Sequence, residues 1–175
     1  VTFFHFTPSF PLREASRLSD SELIARMSTR EKVGQTLLIG FFGTELTPGL
    51  KQFIRTYHPG GINILARNVK SAEQIKTLIA NIQAYNALYN PLPLFVATDQ
   101  EGGRVVRFSF AEELTPESDI TNAIQAYKVA YTRGQELRAL GLNMNLSPVM
   151  DFTADKNSYL YARTFQKDAR TTGVL

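Results

Sequence analysis

The chain contains no cysteine. It therefore forms no disulfide and offers no thiolate to a metal. Its two histidines, His5 and His58, are not spaced with each other or with carboxylates as zinc ligands are. Each reads as a structural or solvated group. No apolar run approaches the ~20 residues of a membrane span, so no membrane span is expected. The net charge is only +3 and the basic residues are scattered singly. No basic run interleaves with aromatics, which argues against nucleic acid as a partner. There is no P-loop, and neither "LIGFFG" nor Gly102-Gly103 is a dinucleotide fingerprint. The opening "VTFFHFTPSFPL" is apolar, but it has no basic region and two prolines break it. As it stands it is not a signal peptide, and the compartment is not readable.

What is present suits one packed domain: 175 residues, 43% hydrophobic and 20% charged. Residues 1–18 read as an extended N-terminal arm. Ser19, Asp20 or Ser21 then caps a helix through Leu23, Ile24 and Met27. Ser28 with Glu31 forms a capping box for a second short helix. "TLLIGFFG" reads as a buried strand. "TPGLKQFIRTYHPGG" reads as a helix with Pro48 near its start and Pro59-Gly60-Gly61 as its stop. "GINILA" is a strand. The next helix places Ile75, Leu78, Ile79, Ile82 and Tyr85 on one face. "PLFVATD" is a strand, "ITNAIQAYKVAYTRGQELRALG" a helix closed by Gly141, and "LNMNLSPVMDF" a fourth strand. Short apolar strands alternating with helices predict an α/β fold with a parallel sheet. Two architectures fit: a doubly wound open sheet, or a (β/α)8 barrel. A complete barrel takes about 250 residues, so the chain has room for half of one.

In such folds the working groups sit at the carboxyl ends of strands. The third strand runs into Asp99-Gln100-Glu101, then Gly102-Gly103, Arg104 and Arg107. The fourth ends in Asp151, and Arg163 follows in "YARTF". An aspartate closing an apolar strand caps a helix, holds a loop, or accepts hydrogen bonds from sugar hydroxyls. The glycines permit positive φ, for a tight turn or for close approach of a ligand. The arginines pair with Glu101 or Asp151 for structure, or present their donor forks to a carboxylate or a polyhydroxyl ligand. Asp99 and Glu101 point the same way in an extended segment, which also invites reading them as a glycosidase acid/base pair.

"DQEGGRVVRF", preceded by "PLFVAT", closely resembles the signature of the family 3 glycoside hydrolases, in the β-N-acetylglucosaminidase (β-N-acetylhexosaminidase) branch. "EKVGQTLLIGFFGTEL", "GGINILARN", "LGLNMNLSPVMDF" and "ARTF" match in the same order, so the resemblance covers about residues 20–170. It implies the N-terminal half of a (β/α)8 barrel over residues 19–175, about four parallel strand–helix units. It implies that Asp99, Arg107 and Arg163 bind the terminal sugar. Asp151 supports the rim, and Glu101 and Arg104 brace the loop rather than react. "TADKNSYLYARTF" departs from the family, which more often has an Asn-Pro and an Ile-Gly before the arginine.

The implied reaction is retaining hydrolysis of a terminal β-linked N-acetylglucosamine from cell-wall or chitin-derived saccharides. It uses no metal and no organic cofactor. The resemblance places the nucleophilic aspartate and the acid/base histidine further along than Leu175, so no catalytic residue is expected here. A half-barrel leaves sheet edges and an apolar face uncovered. The expected partners are thus the saccharide and the second half of the barrel, on the same chain or an associated fragment. The alternative is a non-catalytic half-barrel that binds N-acetylglucosamine or acts as an assembly module.

Overall fold

The computed structural model describes residues 18–175. The expected arm, with His5, lies outside them except for Leu18. Two short helices come first, α1 (Asp20–Arg26) and α2 (Thr29–Gln35), and each opens with a capping box. Ser19 pairs with Glu22 and Ser28 with Glu31, so two orphan N–H groups are satisfied reciprocally at each start. β1 spans Leu38–Gly40. α3 (Pro48–Tyr57) is capped by Thr47, with Pro48 where a missing N–H costs nothing. It closes on His58 at φ 48°. Then come β2 (Gly61–Ile64), α4 (Ala72–Asn86) capped by Ser71, β3 (Phe95–Thr98), α5 (Ala123–Ala139) capped by Asn122, and β4 (Met144–Asn145). A last short helix, α6, covers Ala169–Thr172.

All four strands are parallel, in the order β1-β2-β3-β4. A doubly wound sheet reverses its winding at a switch point. Here every crossover steps the same way, which is the winding of a (β/α)8 barrel carried through four units. One-way winding puts the helices on one face. Ile62, Ile64 and Val96 pack there against Leu50 and Ile54 of α3 and Ile75, Leu78, Ile79 and Ile82 of α4. Tyr85 stays only partly buried. The opposite face is uncovered, with Leu38 41% and Phe95 55% exposed. Gly61 lies between them, and a Cβ there would meet Leu38 Cδ1 at 2.8 Å and Phe95 Cβ at 2.9 Å.

Two strands are shorter than the sequence suggests. β1 stops at Gly40 because the next carbonyls are taken by side chains. Arg67 Nε and Asn68 Nδ2 donate to Phe41 O, and Asn68 Nδ2 also donates to Gly43 O. β4 holds two residues: the side-chain amide of Asn143 bonds to Val96 N and Leu94 O, that of Asn145 bonds to Gln100 N and O just past β3, and Pro148 has no N–H to extend the ladder.

Candidate functional site

β3 delivers Asp99-Gln100-Glu101 to the carboxyl rim, and the pleat separates their tasks. Asp99 continues the face of Phe95 and Ala97, the uncovered one, while Gln100 continues that of Val96 and Thr98. Gln100 is fully buried. Its Oε1 accepts from the N–H groups of Arg107 (2.8 Å) and Phe108 (3.1 Å), and its Nε2 donates to Phe108 O (3.3 Å). That clamp fixes where Arg107 leaves the backbone. Arg107 Nη2 then lies 3.3 Å from Asp99 Oδ2, with both side chains about a quarter exposed. Arg107 Nε is buried without an acceptor among the described residues.

Glu101 is buried and holds Arg163 through two hydrogen bonds, Nη2 to Oε1 at 2.6 Å and Nε to Oε2 at 2.9 Å. Two charge-assisted bonds fix a guanidinium in plane as well as in position. They also raise the pKa of Arg163 above its ordinary value, with smaller help from the charges of Tyr159 and Asp151. The guanidinium also lies over the Tyr159 ring, 4.8 Å from its centre, within cation–π range. Both acids are therefore engaged by arginines, and neither stands as a free acid/base pair.

The turn between these groups is built for close approach. Gly102 and Gly103 take φ of 83° and 57°. A Cβ on Gly102 would strike Thr115 O, and one on Gly103 would come within 2.7 Å of Pro116 Cβ. The glycines thus let residues 113–116 fold down onto the loop.

The bracing expected of Arg104 falls instead to Arg133. Arg104 is exposed and makes no side-chain hydrogen bond or ion pair among the described residues. Arg133, buried on α5, donates to Glu101 O (2.9 Å) and Thr115 O (2.7 Å) and pairs with Glu113 (3.3 Å). Asp151 is exposed and reaches Arg163 only through its charge. His58 is buried at the amino side of β2, and burial lowers its pKa.

Glu117 is the other group that sequence reasoning passed over. It is buried and accepts from Val149 N (2.8 and 3.1 Å) and from Ser147 Oγ (3.2 Å). Burial pushes its pKa up to about 7, against the lowering effect of those bonds. It ties the turn before α5 to the segment that leads from β4 to Asp151 and Arg163.

A one-way parallel α/β unit with charged side chains gathered on its carboxyl rim is the architecture of one half of a (β/α)8 barrel. The chain belongs to the glycosyl hydrolase family 3 N-terminal domain family, which it matches over residues 28–175. It is 34% identical over 135 residues to beta-hexosaminidase A of Pseudoalteromonas piscicida, covering 71% of this chain and 23% of that protein. It is 32% identical over 151 residues to the beta-hexosaminidase of Nitrosomonas eutropha, covering 79% of this chain and 42% of that protein. Among solved structures it is similar to a glycoside hydrolase family 3 beta-N-acetylglucosaminidase from Paenibacillus sp. str. FPU-7. The TM-score is 0.77 at 32% identity, over 83% of this chain and 29% of that one. The chain thus spans less than half the length of these relatives. Among the described residues, no helix is long and apolar enough to cross a membrane.

Proposed function

We propose that residues 19–175 form the first half of the catalytic barrel of a retaining β-N-acetylhexosaminidase and supply part of its sugar-binding wall. Asp99 accepts hydrogen bonds from hydroxyls of the terminal N-acetylglucosamine. Arg107 and Arg163 donate to the same sugar. Glu101 orients Arg163, Arg133 braces the loop, and Asp151 adds negative charge beside the guanidinium.

The observation that carries this reading is the Glu101–Arg163 pair. Glu101 takes Nε and one Nη2 bond and holds the guanidinium plane, which leaves the other edge of the fork for a ligand. A sugar's hydroxyls present such paired acceptors. Arg107 contributes in the same way, since only one of its nitrogens pairs with Asp99.

The attacking carboxylate and the acid/base histidine belong to the second half of the barrel. There the carboxylate bonds to the anomeric carbon as the leaving oxygen takes a proton from the acid. Water then cleaves the glycosyl–enzyme, giving up its proton to the same group acting as base. The residues described here bind and orient the sugar through both steps.

The test is hydrolysis by the full-length protein of 4-nitrophenyl N-acetyl-β-D-glucosaminide beside the matching β-D-glucoside. Release from the acetamido sugar alone, with the β-anomer as first product, is expected. Binding of N-acetylglucosamine without hydrolysis of either substrate would replace this reading with a non-catalytic sugar-binding half-barrel.

A further inference from the structure

Phe42 follows the carboxyl end of β1, on the rim that also carries Asp99, and is 80% exposed. Isolated exposed apolar residues are ordinary, but this one is held in place. The carbonyls on either side of it are pinned from the neighbouring unit: Arg67 Nε donates to Phe41 O at 2.9 Å, and Asn68 Nδ2 donates to Gly43 O at 2.8 Å. Asn68 is itself fully buried, its Oδ1 accepting from Leu65 N at 3.0 Å. The Arg67 guanidinium then backs the ring, 4.6 Å from its centre. The guanidinium covers part of the ring, and among the described residues the rest of it is uncovered. Arg163 backs the exposed Tyr159 ring in the same way.

We infer that Phe42, backed by Arg67, is a stacking platform for the second pyranose ring of a β-linked saccharide, and so sets the preference for the aglycone. The inference deepens the proposed function and rests on it. Adjacent strands lie about 4.8 Å apart, so the ends of β1 and β3 are separated by roughly 10 Å. That distance places Phe42 beyond a sugar held at Asp99 and within reach of the ring linked to it. A pyranose presents an apolar C–H face to an aromatic ring and hydroxyls at its edge. Phe42 supplies the apolar surface. Arg67 spends only Nε on the backbone, leaving its two amino groups as donors for those hydroxyls. A ring pinned before binding loses little rotamer freedom when the sugar arrives.

The test compares a two-ring and a one-ring probe on the full-length protein. Wild type and Phe42→Ala are assayed for hydrolysis of N,N′-diacetylchitobiose and for inhibition by N-acetylglucosamine. Loss of one aromatic contact face should raise KM for the disaccharide about tenfold. The change in kcat should be less than twofold, the inhibition constant of N-acetylglucosamine should hold, and Phe42→Tyr should restore KM. Unchanged kinetics for Phe42→Ala would overturn the inference, as would equal weakening of both probes. A lowered Tm with wild-type KM would make the ring a packing contact and also overturn it. Failure of wild type to bind N-acetylglucosamine at all would remove the proposed function as well, which separates the two failures.

Discussion

Glu101 and Arg163 are 62 positions apart in the chain and meet through two hydrogen bonds of 2.6 and 2.9 Å. The carboxylate comes from the end of β3, and the guanidinium from the segment beyond β4. The pair locks two strand ends of the rim to each other. Removing one partner of a buried ion pair costs about 3–5 kcal/mol, since the survivor is left uncompensated. Glu101→Gln should therefore lower stability by a large part of that amount in chemical denaturation. Arg163→Lys keeps the charge and loses the fork. It should fold near wild type while kcat/KM falls roughly 10- to 100-fold, the loss of one charge-assisted bond of about 1.5–3 kcal/mol. Wild-type kinetics for Arg163→Lys would place that side chain outside the site.

Glu117 gives a pH signature of a definite sign. Its folded pKa of about 7 lies above the ordinary 4.5. Between these values the unfolded chain ionises Glu117 while the folded chain keeps the proton. The folded state then binds more protons, so stability falls as pH rises from 4.5 to about 7 and levels off above it. Buried His58 contributes the opposite slope below its ordinary 6.5, because its pKa is lowered on folding. The Glu117 effect is therefore read as the difference between wild type and Glu117→Gln. Glutamine still accepts from Val149 N–H and never ionises. The variant should exceed wild type by several degrees in Tm near pH 8 and match it near pH 4, given roughly 2–4 °C per kcal/mol at this chain length. Parallel Tm curves across that range would show that Glu117 titrates normally.

Two glycines should respond in opposite directions to alanine. Gly102 combines φ of 83° with Thr115 O in the path of a Cβ, and Arg133 Nη2 would lie 2.8 Å from it. Gly102→Ala should cost at least about 1–3 kcal/mol. Gly134 lies within α5 with nothing inside 4 Å of its missing Cβ. Gly134→Ala should stabilise by about 0.5–1 kcal/mol through helix propensity alone. Urea titration of both variants measures the contrast, and equal effects would contradict it.

The local features were legible from local chemistry. Ser28 caps with Glu31 as the spacing requires, Ser19 is the cap among the three candidates Ser19, Asp20 and Ser21, and Ile75, Leu78, Ile79 and Ile82 face the core as their spacing requires. The winding was not legible from periodicity, because parallel strands look alike whether the crossovers reverse or not. β1 and β4 ended early because Arg67, Asn68, Asn143 and Asn145 compete for ladder bonds, a contest decided by tertiary placement. At the rim, Asp99 and Arg107 are near in sequence and meet in space. Arg104 is just as near and points to solvent, while Arg133 reaches Glu101 from 32 positions away. Glu117 was invisible for the same reason: what perturbs it is burial under a segment 30 residues on. Phe42 looked like one more apolar residue in "LIGFFG", because exposure does not show in a string of letters.

The most direct test of the sugar-binding rim is calorimetric titration of N-acetylglucosamine into full-length wild type and Asp99→Ala. Asp99 is partly exposed and its ion pair with Arg107 is worth at most about 1 kcal/mol, so the variant should keep its fold and Tm. Loss of one or two charge-assisted hydrogen bonds, about 1.5–3 kcal/mol each, should weaken sugar binding roughly 10- to 10⁴-fold. A folded Asp99→Ala protein that binds the sugar as wild type does would show that the rim at the end of β3 faces something else.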